Sequence, residues 1–129
     1  MLKIKPIGEK KEQERLCNIC SCEYLIDSLA YSCYDDEVFA GVLQFHLKDN
    51  GVYIDNITFA PGYSDKTALF IMGRAALNYA DLVGFHDAYF PSPDDDKTAI
   101  MIGFSKNQEG IFYFDLRGFF ESPCSHDNS

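Results

Sequence analysis

The sequence has no tryptophan, no run near the roughly 18 apolar residues that would cross a bilayer as a helix, and few cationic residues: 11 Lys and Arg stand against 20 Asp and Glu. A net charge of −9 disfavours partners held by countercharge to phosphate, so neither nucleic acid nor an anionic membrane surface is expected. GxSxG, P-loop and GxGxxG patterns are also missing, which leaves hydrolase, ATPase and dinucleotide-binding readings without support. Cys17-Asn18-Ile19-Cys20 is half of a structural zinc site, with Cys22 and Cys33 nearby. No second CxxC or HxxxH follows, and Cys17 and Cys20 fall on an apolar helical stripe, so no metal is expected. His46, His86 and His126 are scattered, with no spacing that suggests a triad or a metal site.

The opening MLKIKPIGEKK alternates apolar and basic residues and does not join a basic end to an apolar block, so export is not expected. The five cysteines are then read as reduced thiols and the chain as cytoplasmic.

What is present is apolar and aromatic. Hydrophobic residues make up 47% of 129 positions, with 11 Phe and 8 Tyr, enough to fill one core and to exclude disorder. A single domain over 1–120 is expected, with ESPCSHDNS (121–129) as a flexible tail.

Along the chain, LKIKPI reads as an edge strand because Pro6 cannot donate to a ladder. Glu9 to about Cys20 reads as a short helix with Leu16, Ile19 and Cys20 on its apolar stripe and the EKKEQER turns solvated. Three period-2 segments follow, Ser28–Tyr34, Val38–Leu47 and Val52–Phe59, the last two joined at Asn50-Gly51, residues tolerant of positive φ. Alternation in the third places Tyr53, Asp55 and Ile57 on one face.

APGYSDK then breaks the strand. Ser64 or Asp65 can cap a helix from about Lys66 to Leu82, with Leu69, Met72, Ala76, Tyr79 and Val83 in one stripe. Phe85–Phe90 is a further strand, Lys97–Ile102 a short helix capped by the Asp94-Asp95-Asp96 run, and Gly103–Ser105 with Gly110–Arg117 a terminal hairpin. Its aromatic arm, Ile111–Leu116, either fills the core or pairs with a second subunit, so a homodimer is one expectation. The order β-α-βββ-α-β-α-ββ has one long helical crossover. It gives an α/β (α+β) architecture: a mixed, mostly antiparallel sheet with helices on both faces.

This order, with Ile57-Thr58-Phe59-Ala60-Pro61-Gly62-Tyr63 before the long helix and Ala99-Ile100 with Gly103-Phe104 after it, resembles the GNAT N-acetyltransferase superfamily over about residues 2–117. The resemblance implies transfer of an acyl group from acetyl-CoA, or another acyl-CoA, as co-substrate to an amine. The pyrophosphate would be held at the N-terminus of the central helix, where orphan N–H donors and the positive dipole end favour an anion. In the family that turn carries Arg or Gln followed by glycines. Here Ser64 stands at the arginine position, Asp65, Thr67 and Leu69 near the glycine positions, and Lys66 and the Thr67 hydroxyl supply a cation and a donor.

The resemblance further implies a base on the fourth strand, for which Asp55 is the candidate, and backbone donors for the acyl oxygen around Ile57 to Phe59. Asp96 stands where the family has an asparagine of the late helix. Gly103 stands where it has the tyrosine that protonates the departing thiolate, so the thiolate either takes a proton from Tyr89, the nearest candidate by sequence, or departs unprotonated. The expected function is an acyl-CoA-dependent N-acetyltransferase acting on a small-molecule or peptide amine, a cationic one in view of the acidic surface. The alternative is a catalytically degenerate relative serving as a binding or dimerisation module.

Overall fold

In the computed structural model, residues 1–120 are described. They form one seven-stranded sheet: β1 (Leu2–Pro6), β2 (Leu29–Asp35), β3 (Val38–Lys48), β4 (Gly51–Phe59), β5 (Asp87–Phe90), β6 (Ser105–Lys106) and β7 (Phe112–Asp115). The order across it is β1-β2-β3-β4-β5-β7-β6, and every neighbour is antiparallel except β4 with β5. The helices are α1 (Lys10–Cys20), α2 (Lys66–Leu82) and α3 (Asp96–Ile102). The expected element order is the observed one. The 121–129 tail, with Cys124 and His126, lies outside the described residues.

Two cores lie on opposite faces of the sheet. The larger joins α2 and α3 to the sheet through residues such as Leu43, Phe45, Ile54, Met72, Leu77, Ile102, Phe104 and Phe114. The smaller joins α1 to β3 through Leu16, Cys17, Cys20, Val42 and Ala60. No helix among the described residues is long and apolar enough to cross a membrane.

Four local expectations are corrected. The β3–β4 turn is Asp49-Asn50, with φ 52° at Asp49, while Gly51 pairs with Lys48 inside the strand. Gly51 lets β5 approach closely there: a Cβ would lie 3.0 Å from the Tyr89 ring and 3.1 Å from the Asp87 carbonyl, so a larger residue would require β5 to give by a few tenths of an ångström. The buried stripe of α2 runs through Ala68, Leu69, Met72, Gly73, Ala76, Leu77 and Ala80, whereas Tyr79 and Val83 are exposed; the small residues let the helix lie close to the sheet. On α1, Ile19 is exposed, while Gln13, expected in a solvated turn, is 1% exposed. The aromatic arm alternates, with Phe112, Phe114 and Leu116 in the core, so core filling is the role seen for it.

The fourth correction bears on the site. A β-bulge interrupts the β3–β4 ladder: Gln44 faces Asn56 and Phe45 faces Ile54, which leaves Asp55 as the extra residue on β4. The bulge resets the alternation, so Ile54 and Ile57 both enter the larger core, and Ile57 is not on the face of Tyr53 and Asp55.

Candidate active site

The pairing of β4 with β5 covers only Gly51–Asp87, Val52–Ala88 and Tyr53–Tyr89. Beyond it the two strands part, and from Ile54 to Phe59 the β5-facing edge of β4 has no strand partner among the described residues. The gap is a cleft of about 320 Å³ lined by Ile57, Thr58, Phe59, Lys66, Leu69, Phe90, Pro93, Asp94, Asp95 and Thr98. An extended edge with unused backbone donors and acceptors suits a ligand that carries amides.

The start of α2 closes one end of this cleft. Asp65 is the N-cap, and its Oδ1 accepts from the Thr67 N–H at 3.0 Å. The helix N-terminus therefore already holds one anion of its own, and Lys66 is the cation on the cleft wall. The preceding Tyr63 donates its hydroxyl to Asp35 Oδ2 at 3.1 Å, tying the turn to β2. Burial, then the Asp35 carboxylate, pushes its pKa up to about 12. Across the cleft, α3 is only seven residues long and ends at Gly103 with φ 131°, where a Cβ would run into the Phe114 ring.

Asp55 lies in a second cavity, of about 550 Å³, on the α1 face, with Tyr24, Leu25, Ile26, Asp27, Ser28, His46, Leu47 and Lys48. Both carboxylate oxygens of Asp55 lie 3.0 Å from His46 Nδ1, and Oδ2 also accepts from the Ser28 hydroxyl at 2.6 Å. A carboxylate facing Nδ1 holds the hydrogen there in the neutral ring, which leaves Nε2 as a proton acceptor. His46 is thus a candidate that linear spacing missed. The signal was the hairpin itself: closing β3 on β4 places His46 opposite Tyr53 and beside Asp55.

The other candidates are placed as follows. Ile57, Phe59 and Lys66 are brought together on the cleft wall. Ser64 and Thr67 are exposed and do not line it, the Thr67 N–H being taken by Asp65. Asp96 pairs with Lys106 at 3.5 Å outside the cleft, and Asp94, Asp95 and Thr98 line it instead. Tyr89 stands on the face opposite Phe90, its ring stacked on Tyr53 at 4.9 Å and tilted against Tyr113 at 5.4 Å. Burial, then the Asp87 carboxylate, holds its hydroxyl above the ordinary tyrosine value, so it stays protonated at neutral pH.

No family model and no curated protein matches the chain by sequence. Solved structures match it in fold. The dodecameric spermidine N-acetyltransferase of Vibrio cholerae superposes with a TM-score of 0.68 at 11% identity, over 93% of this chain and 96% of that one. An N-acetyltransferase of Staphylococcus aureus gives 0.64 at 16% identity, over 91% and 99%. A Bacillus subtilis acetyltransferase in complex with CoA gives 0.63 at 19% identity, over 81% and 77%. The fold is the GNAT acyl-CoA N-acyltransferase fold, a mostly antiparallel seven-stranded sheet with three helices.

Proposed function

We propose that this protein is an acyl-CoA-dependent N-acetyltransferase whose acceptor is a cationic amine. The observation that carries the reading is the cleft between β4 and β5, with an unpaired strand edge on one wall and Lys66 at the start of α2. The bound co-substrate would supply an activated acyl thioester. The backbone of Ile57, Thr58 and Phe59 holds the pantetheine amides and points donors at the acyl oxygen, Lys66 meets the pyrophosphate, and Leu69 and Phe90 exclude water. The acceptor enters from the α1 face, where Asp27 and Asp55 favour a cation. His46 Nε2 takes the amine proton while Asp55 holds the ring in the required tautomer. Tyr89 stays protonated but lies on the face away from the cleft-lining Phe90, so no acid is assigned to the departing thiolate.

A second reading, a binding module that has kept the fold without the chemistry, is favoured by three carboxylates. Asp65 occupies an N–H of α2, and Asp94 and Asp95 put negative charge on the cleft wall.

Thermal or chemical denaturation with excess acetyl-CoA separates the two. At 100 times its dissociation constant the ligand adds about 2.7 kcal/mol of stability, and Lys66→Glu is expected to abolish the gain. No shift at millimolar acetyl-CoA overturns the enzyme reading. Asp65→Ser keeps a capping oxygen and removes the charge, so it is expected to tighten acetyl-CoA binding by about 0.3–1 kcal/mol. Weaker binding would show that pyrophosphate is not held at this helix.

A further inference from the structure

Helix α1 ends on Ser21 in the left-handed region, φ 59°, and the Cys22 N–H reaches back to the Cys17 carbonyl at 3.0 Å. A helix terminus of this form turns the chain so that these two side chains, one on the last turn and one just past it, meet over the helix end. The contact is commonly between apolar residues; here it joins two thiols. Cys22 packs against the smaller core that holds Cys17, with the Cys17 thiol and the Thr58 hydroxyl of β4 as its polar neighbours. The pair sits in the smaller core, with Cys17 fully buried and Cys22 part-exposed at its rim. Solvent therefore reaches Cys22 and not Cys17.

We propose that Cys17 and Cys22 form a dithiol redox site that a peroxide converts to a disulfide. The Cys22 thiolate attacks one peroxide oxygen, forms a sulfenic acid and releases hydroxide. The Cys17 sulfur then displaces the sulfenic oxygen as a second hydroxide, and its own proton with the one Cys22 had given up completes two waters. The two thiols are oxidised by two electrons and the peroxide is reduced.

The surroundings set the order of attack. The neighbouring Cys17 thiol and Thr58 hydroxyl lower the Cys22 pKa to about 7, against burial and the Asp94 carboxylate, and the proximity of Cys22 pushes Cys17 up. Cys20, beside them on α1, is pushed up to about 12 by burial and then by Cys22. Cys33, also free, lies in the other core and is raised to about 11. Thr58 is also a cleft-wall residue, so the oxidisable pair stands one side chain from the cleft.

The test uses the unsubstituted protein with a small excess of hydrogen peroxide at neutral pH. Intact mass should fall by about 2 Da, the mass of two hydrogens lost in one disulfide, and return on reduction. Free thiols are then blocked in denaturant, the disulfide is reduced and the released thiols take a second label, which should appear on Cys17 and Cys22. A second label on Cys20 or Cys33, or stable oxygen addition without a disulfide, overturns the proposal. Cys17→Ser removes the resolving thiol, so a dimedone-trappable sulfenic acid should accumulate at Cys22 and be absent from Cys22→Ser. Iodoacetamide should modify Cys22 with a midpoint near pH 7. Cys17, Cys20, Thr58 and Asp94 are the groups facing it, and a midpoint at the ordinary thiol value of 9.0 overturns the assignment of Cys22 as the first to react.

Discussion

Gln44→Ala is expected to lower stability by about 3–5 kcal/mol, the combined effect of a cavity and stranded backbone groups. Gln44 is 0% exposed in the middle of β3. Its Oε1 accepts from Gln13 Nε2 at 2.8 Å and from the Leu25 N–H at 3.0 Å, and its Nε2 donates to the Glu23 carbonyl at 2.7 Å. It also reaches Asn56 Oδ1 at 3.3 Å, the residue beside the bulge. One amide therefore ties α1, the 21–28 segment and β4 to the centre of the sheet. Removing it leaves the Leu25 N–H and the Glu23 carbonyl short of a partner, each costing about 1–3 kcal/mol where water does not replace it, while Gln13 Nε2 keeps the Leu25 and Ser28 carbonyls at 3.1 and 3.3 Å.

Gln44→Leu separates packing from polarity. Leucine refills much of the volume and satisfies none of those groups, so its denaturation midpoint should lie above that of the alanine variant by the cavity's share only and stay below that of the unsubstituted protein, with m unchanged in both. A leucine variant at or above the stability of the unsubstituted protein would show that the amide network is not what holds this segment. The Ser28 hydroxyl that donates to Asp55 lies on the same segment, so loosening it is also expected to disturb the site.

The element order was legible because each element carries its own period and punctuation: Pro6 at an edge, Asp65 before α2, Gly103 after α3. The bulge at Asp55 was not, because its cause lies across the strands. The buried Gln44 faces Asn56 across the ladder with Asp55 as the extra residue on β4, and a period-2 reading of β4 alone has no access to that partner. The same limit explains the candidate site. Ile57, Phe59 and Lys66 were found because a strand end and the helix after it are neighbours in sequence and in space. The opposite wall arrives through the α2 crossover, so whether Phe90 or Tyr89, and Asp95 or Asp96, faces the cleft depends on the pleat of β5 and the phase of α3. Gln13 illustrates a buried polar residue whose reason is a partner, Gln44, 31 positions away.

His46→Gln and Asp55→Asn are each expected to reduce turnover at neutral pH by about 10²–10⁴-fold, the range of a positioned proton acceptor. The assay is release of the CoA thiol with any amine found to be accepted, and the effect should fall on kcat while acetyl-CoA binding is retained, since neither residue lines the cleft wall. The two substitutions should fail for different reasons. His46→Gln removes the acceptor itself. Asp55→Asn keeps the imidazole but can offer it an amide donor at Nδ1, which moves the ring hydrogen to Nε2, where it blocks the proton transfer. Residues acting as one unit are not additive, so the double variant should be no slower than His46→Gln alone. A rate lost in Asp55→Asn and retained in His46→Gln would instead make the carboxylate the direct base and His46 a neighbour that merely donates to it. An unchanged rate in both variants would remove the pair from the reaction and leave the amine to enter already deprotonated.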